Sequence, residues 1–450
     1  MHISTERDPD GGWYDRVVRI EDDKGVLEDL GKSPTLDELR EASRRHGSPT
    51  DRLDLWQQGL VCVECGNQIT DRFSARLDGH LLCWECATDE ARADRGDLRV
   101  NVDPTKTVLS ESKLHEKSLC DYVVNVATGC RHGCKFCYVP STPAVSNRDE
   151  MLAEKADVDD PQRDWGTYLL YRDDLPERTR QGLLDTDPGS SEWKTTDRGR
   201  GVVMLSSGTD CYQDRRTAQI TRGVVRELAE AGVPVRILTR SPNVTRDIDL
   251  FREYNDRITV GTSIPSFDAS LVRAMEPGAA PPMARWEALD KVRREAGVPV
   301  FVSFSPTYPT MDRENIREAM TWFKALDPSV VFHEPMNPRG ANFEMCIEAM
   351  EDVGYEQAAN ELREIENEPQ WKEYALKQID LVHDVAETIN GPPIHTWPDR
   401  RLVDLTSGEV RKQLRRMRES VSPESFASDH PEKSPAQSPL RQHFQSGSAD

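Results

Sequence analysis

The stretch Val202-Val203-Met204-Leu205-Ser206 begins a regular alternation of short apolar strands and helices. The predicted strands are Val202–Ser206, Val233–Thr239, Ile258–Ser263, Val298–Ser305 and Val330–Glu334. The predicted helices between them lie near 216–230, 244–253, 283–296 and 313–325. Alternation of this kind is typical of βαβ units and a parallel sheet. The sequence therefore predicts an α/β fold.

One fragment occurs twice in this region. Ala231-Gly232-Val233-Pro234-Val235 and Ala296-Gly297-Val298-Pro299-Val300 lie 65 residues apart. In each copy the glycine suits a left-handed helix end, and a strand follows at once. The spacing corresponds to two βα units, as an α/β barrel would have.

The second feature is a cysteine-rich loop upstream of these strands, Thr128-Gly129-Cys130-Arg131-His132-Gly133-Cys134-Lys135-Phe136-Cys137-Tyr138. Three and two residues separate its three cysteines. Three thiolates on one short loop can bind three corners of a cubic iron–sulfur cluster and leave one iron open to another ligand. The alternative is a zinc site completed by His132 or Cys120, although zinc sites favour pairs of ligands over three in one loop.

The cysteine spacing, with Phe136 directly before the third cysteine, resembles the signature of the radical S-adenosylmethionine superfamily. The likeness extends over about 107–400 and implies that superfamily's partial (β/α)6 barrel of TIM type, which we assign to 107–405. The resemblance implies that Cys130, Cys134 and Cys137 bind a 4Fe–4S cluster. S-adenosylmethionine would then bind the open iron through its amino and carboxylate groups. Phe136 and Tyr138 would pack near the adenine.

Five further segments resemble the branch of the superfamily that contains spore photoproduct lyase and its DNA repair photolyase-like relatives. These segments are Ser206-Ser207-Gly208-Thr209-Asp210-Cys211-Tyr212-Gln213, Thr239-Arg240-Ser241, Gly261-Thr262-Ser263, Glu276-Pro277 with Arg285-Trp286-Glu287-Ala288-Leu289, and Ser305-Pro306-Thr307-Tyr308-Pro309. They come at or near predicted strand ends, where barrel enzymes place their active sites.

The likeness suggests roles for four of these residues. The backbone at Gly208 would approach the methionine amino group. Arg240 offers two hydrogen bonds to the methionine carboxylate. Thr262 and Ser263 would bind the ribose hydroxyls or the amino group. Each of these polar residues has an alternative role as a strand-end cap or turn contact.

The chain departs from spore photoproduct lyases in one respect. Those enzymes have a further cysteine soon after the cluster loop that returns hydrogen to the product radical, and here no cysteine lies between Cys137 and Cys211. This absence counts against authentic spore photoproduct repair. Cys211 is the candidate replacement donor; its alternative is a small buried core residue.

A second cysteine group lies nearer the N-terminus. Cys62-Val63-Glu64-Cys65 and Cys83-Trp84-Glu85-Cys86 are separated by 17 residues, a spacing that predicts a four-cysteine zinc ribbon over 59–92. Four thiolates close a tetrahedral site, so the zinc would be structural. A rubredoxin-type iron or an auxiliary cluster would use the same ligands.

The composition is strongly acidic, with 58 Lys+Arg, 79 Asp+Glu and a net charge of −21. Lysine supplies only 14 of the basic residues. This pattern predicts a halophilic protein, with an ordinary acidic mesophile as the alternative. It disfavours sequence-independent phosphate binding over most of the surface.

Neither a bilayer-spanning apolar run nor a signal peptide is evident, so we expect a soluble, cytoplasmic protein that binds no membrane. Residues 1–58 form a predicted acidic N-terminal extension. Residues 420–450 are rich in Ser, Pro, Gln and Asp and form a predicted disordered tail.

The leading hypothesis is therefore a radical S-adenosylmethionine enzyme, lyase-like or modifying. It would cleave its cofactor to a 5′-deoxyadenosyl radical that abstracts hydrogen from an unidentified substrate. The resemblance makes nucleic acid repair or modification a candidate activity, and the cluster needs a ferredoxin- or flavodoxin-type electron donor. The alternative is a non-catalytic zinc-ribbon and iron–sulfur protein that acts on nucleic acid or a protein partner.

Overall fold

Parallel strands form the centre of the larger part of the chain in the computed structural model of the protein. The structure describes residues 2–7, 16–22, 24–32, 42, 45, 98–185, 193, 195–196 and 199–422. The chain divides into two compact units, Met1–Asp97 and Leu98–Asp450. The predicted zinc ligands Cys62, Cys65, Cys83 and Cys86 lie outside the described residues, as do residues 423–450 of the predicted tail; Ser420, Val421 and Ser422 are described and buried.

The smaller unit contains a three-stranded antiparallel sheet. Its strands, in the order β1-β2-β3, are β1 His2–Arg7, β2 Arg16–Asp22 and β3 Gly25–Lys32. Arg19 Nε lies 3.1 Å from Asp29 Oδ2 across β2 and β3. The sequence pattern does not indicate these strands, because charged residues interrupt the apolar alternation that a half-buried strand usually has.

The strands of the larger unit form two main sheets and one short hairpin. Their bounds are β4 Arg99–Val102, β5 Ser110–Glu111, β6 Tyr122–Val124, β7 Ala127–Gly129, β8 Tyr168–Tyr171, β9 Thr195–Thr196, β10 Gly199–Arg200, β11 Val203–Leu205, β12 Val235–Thr239, β13 Ile258–Ser263, β14 Val300–Thr307, β15 Val330–Pro335 and β16 Ile394–Thr396.

Helices follow most strands of the larger unit. Their bounds are α1 Pro143–Ser146, α2 Asp149–Ala156, α3 Leu175–Arg178, α4 Arg215–Glu230, α5 Ile248–Glu253, α6 Ala269–Met275, α7 Pro282–Ala296, α8 Arg313–Leu326, α9 Asn342–Asp352, α10 Glu356–Glu364, α11 Glu368–Thr388, α12 Arg400–Asp404 and α13 Gly408–Glu419. Lys113–Lys117, Val139–Ser141 and Pro242–Asp247 are 3₁₀ helices, and Thr179–Leu184 is a π-helix. Within the described part of the chain, no helix is both long and apolar enough to cross a bilayer.

The main sheet has the strand order β16-β15-β14-β13-β12-β11-β6-β5. All neighbouring strands from β6 to β16 are parallel, and only β5 is antiparallel to its neighbour. From β11 onward, spatial order follows chain order, as repeated βα units require. The predicted α/β class and the predicted strand–helix alternation are confirmed.

Both faces of the main sheet are covered. Val235 and Ile237 of β12 belong to a large core shared with the helices. Leu238, on the opposite face, packs with Met204 of β11 and Phe301 of β14. Burial on both faces explains why these strands are nearly continuous apolar runs.

The helix ends follow from local sequence. Asp214 caps α4, and Asp312 caps α8, each through a carboxylate that accepts backbone N–H groups of the first turn. Gly232 and Gly297 follow α4 and α7 with φ of 76° and 70°. The left-handed helix ends predicted at both glycines are therefore confirmed.

A smaller sheet of order β4-β8-β7 carries the cysteine loop. β7 is antiparallel to β8, and β8 is parallel to β4. Only two residues separate the end of β6 in the main sheet from the start of β7. The loop that follows Gly129 therefore begins near the carboxyl end of β6.

Candidate functional site

The cysteine loop begins where β7 ends, and glycines allow it to pack closely. Gly129 has φ of 90°, and a Cβ there would lie 2.2 Å from the carbonyl oxygen of Tyr168. Gly133 has φ of 57°, and its backbone packs against that of Gly166, whose own φ is 108°. Larger residues at Gly129 or Gly166 would displace the loop.

The loop brings three thiols into one buried neighbourhood. Cys130 and Cys134 are buried, and Cys137 is half-buried. Burial raises the pKa of Cys130 and of Cys137 to about 12, and raises that of Cys134 further. The thiols also interact electrostatically. A negative charge on Cys137 raises the pKa of Cys130, and a negative charge on Cys134 raises the pKa of Cys137.

The segment after β11 holds one side of the loop. The Thr209 hydroxyl donates a hydrogen bond to the Gly129 carbonyl. The backbone N–H of Arg131 donates to Gln213 Oε1 at 2.6 Å, and Gln213 Nε2 donates to Thr209 Oγ1 at 2.8 Å. Asp210 Oδ2 lies 3.5 Å from Nδ1 of the buried His132. His132, the suggested zinc ligand, therefore contacts a carboxylate.

The segment after α6 holds the other side. The Lys135 N–H donates to the Met275 carbonyl at 2.8 Å, and the Gly278 N–H donates to the His132 carbonyl at 2.9 Å. These two backbone hydrogen bonds, with the two described above that reach Gly129 and Arg131, anchor the loop at four points. The loop conformation is therefore specified by the surrounding protein.

A buried charge network lies beside Cys134. Glu276 Oε2 is 3.2 Å from Arg240 Nε and 2.5 Å from Arg285 Nη2. Arg285 also donates to the carbonyls of Ala280 and Ser263, at 2.6 and 2.9 Å. Glu276 thus joins the end of β12 to the end of β13 and to the segment that holds the loop.

Arg240 lies between this network and the loop. Its guanidinium carbon is 5.5 Å from the centre of the Phe136 ring, within cation–π distance. Burial lowers the pKa of Arg240, but the charges of Cys134 and Glu276 outweigh burial and raise it. Arg240 is therefore a charged group next to the thiols.

The other predicted cofactor contacts all make hydrogen bonds within the protein. Gly208 is half-buried, and its N–H donates to Asn125 Oδ1 at 2.8 Å. The Thr262 hydroxyl donates to the Thr239 carbonyl at 2.9 Å, while the Ser263 carbonyl accepts from Arg285. The hydroxyl of Thr262 and the carbonyl of Ser263 therefore already have protein partners, as in the strand-end alternative.

The two aromatic residues predicted to lie near the adenine have different surroundings. Phe136 is buried, and its ring centre lies 6.1 Å from that of Tyr308. Tyr138 is 43% exposed, and the Arg339 guanidinium lies 5.5 Å from its ring centre. Only Phe136 shares the neighbourhood of Cys134 and Arg240.

Cys211, the candidate hydrogen donor, lies in the hydrophobic core. Its side chain is fully buried, and Sγ lies 3.9 Å from the Leu238 carbonyl oxygen. Burial raises the pKa of this thiol well above its ordinary value, and the charge of Asp210 adds to the effect. This placement agrees with the alternative role as a small core residue.

Within the described residues, the side chains around the thiols do not converge on a site for a single ion. In the described ranges 98–185 and 199–422, no three His, Cys, Asp or Glu side chains are placed to hold one metal ion. A zinc ion needs each thiolate about 2.3 Å away, whereas a cubane binds one thiolate per iron. Burial raises the pKa of Cys134 by more than the nearby charges of Arg240 and Arg285 lower it.

Some functional candidates are not evident from the sequence. Gln213 and Thr209 hold the loop, and Glu276 pairs two arginines, although the sequence shows them only as parts of motifs. Tyr308 lies beside Phe136, and no pattern distinguishes it from a core tyrosine. Only the contacts between distant segments identify these roles.

The fold and the site define a mixed α/β protein with a three-cysteine loop near the carboxyl end of a parallel sheet strand. No family model matches the sequence. The chain belongs to the family of the uncharacterized protein ORF301 of Acidianus two-tailed virus. The two are 33% identical over 250 residues, which cover 54% of this chain and 76% of the viral protein.

Two solved structures are also similar to this chain. Streptococcus suis SuiB bound to S-adenosylmethionine matches with 10% identity and a TM-score of 0.36, over 65% of this chain and 54% of that chain. TsrM from Kitasatospora setae, a radical S-adenosylmethionine methyltransferase with cobalamin and a [4Fe-4S] cluster bound, matches with 16% identity and a TM-score of 0.33. That match covers 54% of this chain and 42% of the TsrM chain. The present chain thus spans about half of each of these two proteins.

Proposed function

We propose that this chain is a radical S-adenosylmethionine enzyme of the spore photoproduct lyase-like branch. The observation that carries the proposal is the anchored loop that brings together three thiols, the buried Cys130 and Cys134 and the half-buried Cys137. Three thiolates are the ligand set that leaves one iron of a 4Fe–4S cluster open. When bound, this cluster supplies the electron that cleaves S-adenosylmethionine to a 5′-deoxyadenosyl radical.

The parallel sheet in this proposal is a partial (β/α)6 barrel. Its support is the sequential order of the parallel strands with helices between them. In barrels the active site forms at the carboxyl ends of the strands. Arg240, Ser263 and Tyr308 all lie at or directly after such ends, and the cysteine loop lies near another.

Arg240 binds the methionine carboxylate in this proposal. Glu276 contacts the guanidinium through Nε, so the terminal nitrogens can form a two-bond contact with a carboxylate. Phe136 limits the guanidinium on one face. Gly208 remains the proposed contact of the amino group, with Thr262 and Ser263 the proposed ribose-side contacts.

The first test is cofactor cleavage. Protein reconstituted with iron and sulfide without oxygen, then reduced with dithionite, should convert S-adenosylmethionine to 5′-deoxyadenosine. Cys134→Ala should lose both the cluster absorbance and the cleavage, because two thiolates cannot hold the cubane. The matched control is Cys346→Ala, at a buried free cysteine in the core, which should keep both.

Two results would contradict the proposal. A wild-type protein that loads a cluster but yields no 5′-deoxyadenosine would favour the non-catalytic iron–sulfur protein. A loop that takes up only zinc would exclude the mechanism.

Once cofactor cleavage is established, deuterium transfer from nucleic acid or other candidate substrates into 5′-deoxyadenosine would identify the substrate. The proposed reductant is a ferredoxin- or flavodoxin-type protein.

A further inference from the structure

Tyr308 has a buried hydroxyl without a protein partner. The residue is 1% exposed, and its hydroxyl makes no hydrogen bond within the described part of the chain. Two other buried tyrosines differ in this respect. The Tyr212 hydroxyl donates to Asp247 at 2.8 Å, and the Tyr374 hydroxyl donates to the Thr307 carbonyl and accepts from the Met336 N–H.

An unpartnered buried hydroxyl is costly for the folded state. A polar group that leaves water without gaining a new hydrogen bond raises the free energy of the folded state. Most buried polar groups are consequently paired. A ligand that accepts the hydrogen bond would remove the cost at Tyr308.

The surroundings of Tyr308 indicate what such a ligand would be. Tyr308 directly follows β14, and its ring lies beside Phe136, two residues after Cys134. Burial raises the pKa of Tyr308 well above its ordinary value, and the charges of Glu276 and Cys134 add to this. The hydroxyl therefore stays protonated and can donate a hydrogen bond to an acceptor.

We propose that the Tyr308 hydroxyl donates a hydrogen bond to an anionic acceptor held between Cys134, Phe136 and Arg240. This inference rests on the proposed function. The acceptor is either a sulfur of the cluster or the carboxylate of S-adenosylmethionine, which share the chemistry of a buried anion. Hydrogen bonds to cluster sulfurs are one of the protein's means of setting the reduction potential.

The variant Tyr308→Phe removes only the hydroxyl. In the cluster-free protein it should leave the melting temperature unchanged or raise it, because an unpaired polar group is lost. The matched control Tyr374→Phe should lower the melting temperature, because its hydroxyl has two partners. A Tyr308→Phe protein destabilised as much as Tyr374→Phe would show that the hydroxyl has a protein partner, and would overturn the proposal.

Two arms with loaded protein separate the acceptors. If the acceptor is a cluster sulfur, Tyr308→Phe should lower the ratio of reduced to oxidised cluster tenfold at a fixed potential, equivalent to about 59 mV, before S-adenosylmethionine is added. If the acceptor is the carboxylate, the ratio should stay as in wild type, and the Kd for S-adenosylmethionine should rise about tenfold. Either result supports the proposal.

Failure of this inference can be distinguished from failure of the proposed function. A loaded Tyr308→Phe protein with wild-type potential and wild-type Kd overturns the role of Tyr308 alone. A wild-type protein that binds no cluster overturns both the proposed function and the role of Tyr308. This result is obtained before any variant is compared.

Discussion

Glu276 is the residue on which the charge network of the site depends. Its carboxylate contacts two arginines, Arg240 and Arg285, and all three side chains are buried or nearly so. Buried charges are tolerated when they are paired, and removal of one partner leaves the others uncompensated. The position of Arg240 beside Phe136 therefore depends on a residue that need not touch a ligand.

Glu276→Gln should destabilise the protein strongly. The substitution keeps the shape of the side chain but leaves two guanidinium groups without their counterion, so the free energy of unfolding should fall by roughly 3 kcal/mol. Denaturant unfolding of the cluster-free protein measures the change. The control Glu314→Gln breaks an exposed ion pair with Arg317 and should change little. Equal effects of the two substitutions would show that the network is not what stabilises this region.

At the scale of elements, three buried histidines lie where β15, β16 and α11 meet. His333 hydrogen-bonds to Thr307 and Thr396, and His383 also contacts the Thr396 hydroxyl. Burial lowers the pKa of His333 to about 3, and that of His383 and of His395 to about 4. The charge of His383 lowers the other two further.

These histidines should make the fold sensitive to mild acid. In the unfolded chain each has a pKa near the ordinary value of 6.5, so below that pH the unfolded state binds protons that the folded state excludes. Stability should fall as pH drops from about 6.5 to about 4. His383→Gln should reduce the slope by about 1.4 kcal/mol per pH unit.

Unfolding free energies measured across this pH range test the expectation. The exposed His115→Gln variant is the control and should keep the wild-type slope. A His383→Gln protein with the wild-type slope would mean that this imidazole does not stay neutral in the fold.

Much of the element scale can be predicted from the sequence. The strand predicted at Ile258–Ser263 has the same bounds in the structure, and β-branched residues, which favour strands, supply four of its six positions. Gly232 and Gly297 end their helices as predicted, because the left-handed conformation favours glycine. These signals are local, because they depend only on residues that are adjacent in the sequence.

The site could be predicted only in part. The spacing of Cys130, Cys134 and Cys137 identifies the loop without any structure. The pairing of Glu276 with Arg240 and the packing of Tyr308 against Phe136 result from contacts between segments that are distant in the chain. Chemistry that depends on such contacts leaves no periodic or spacing signal in a single sequence.

At the scale of the whole molecule, the net charge of −21 dominates. Like charges on a folded surface repel, and unfolding moves them apart. Salt shortens the range of this repulsion from about 10 Å at 0.1 M to about 3 Å at 1 M. The acidic, lysine-poor composition thus predicts a protein that gains stability from salt.

The melting temperature should rise steadily as KCl increases from about 0.1 to about 2 M, because screening removes the self-repulsion. Scanning calorimetry measures the shift, and sucrose at equal osmolality controls for effects of solute exclusion. A melting temperature that does not change with KCl, or that rises by the same amount with sucrose, would favour the ordinary acidic mesophile.

The anchoring of the cysteine loop has a consequence for how the protein would regain a cluster lost to oxygen. Its hydrogen bonds to Met275, Gly278, Gln213 and Thr209 involve only protein atoms. On the proposed function, we expect the loop to keep its conformation when no cluster is bound. A molecule emptied by air should recover by simple refilling with iron and sulfide, with no need to unfold and start again.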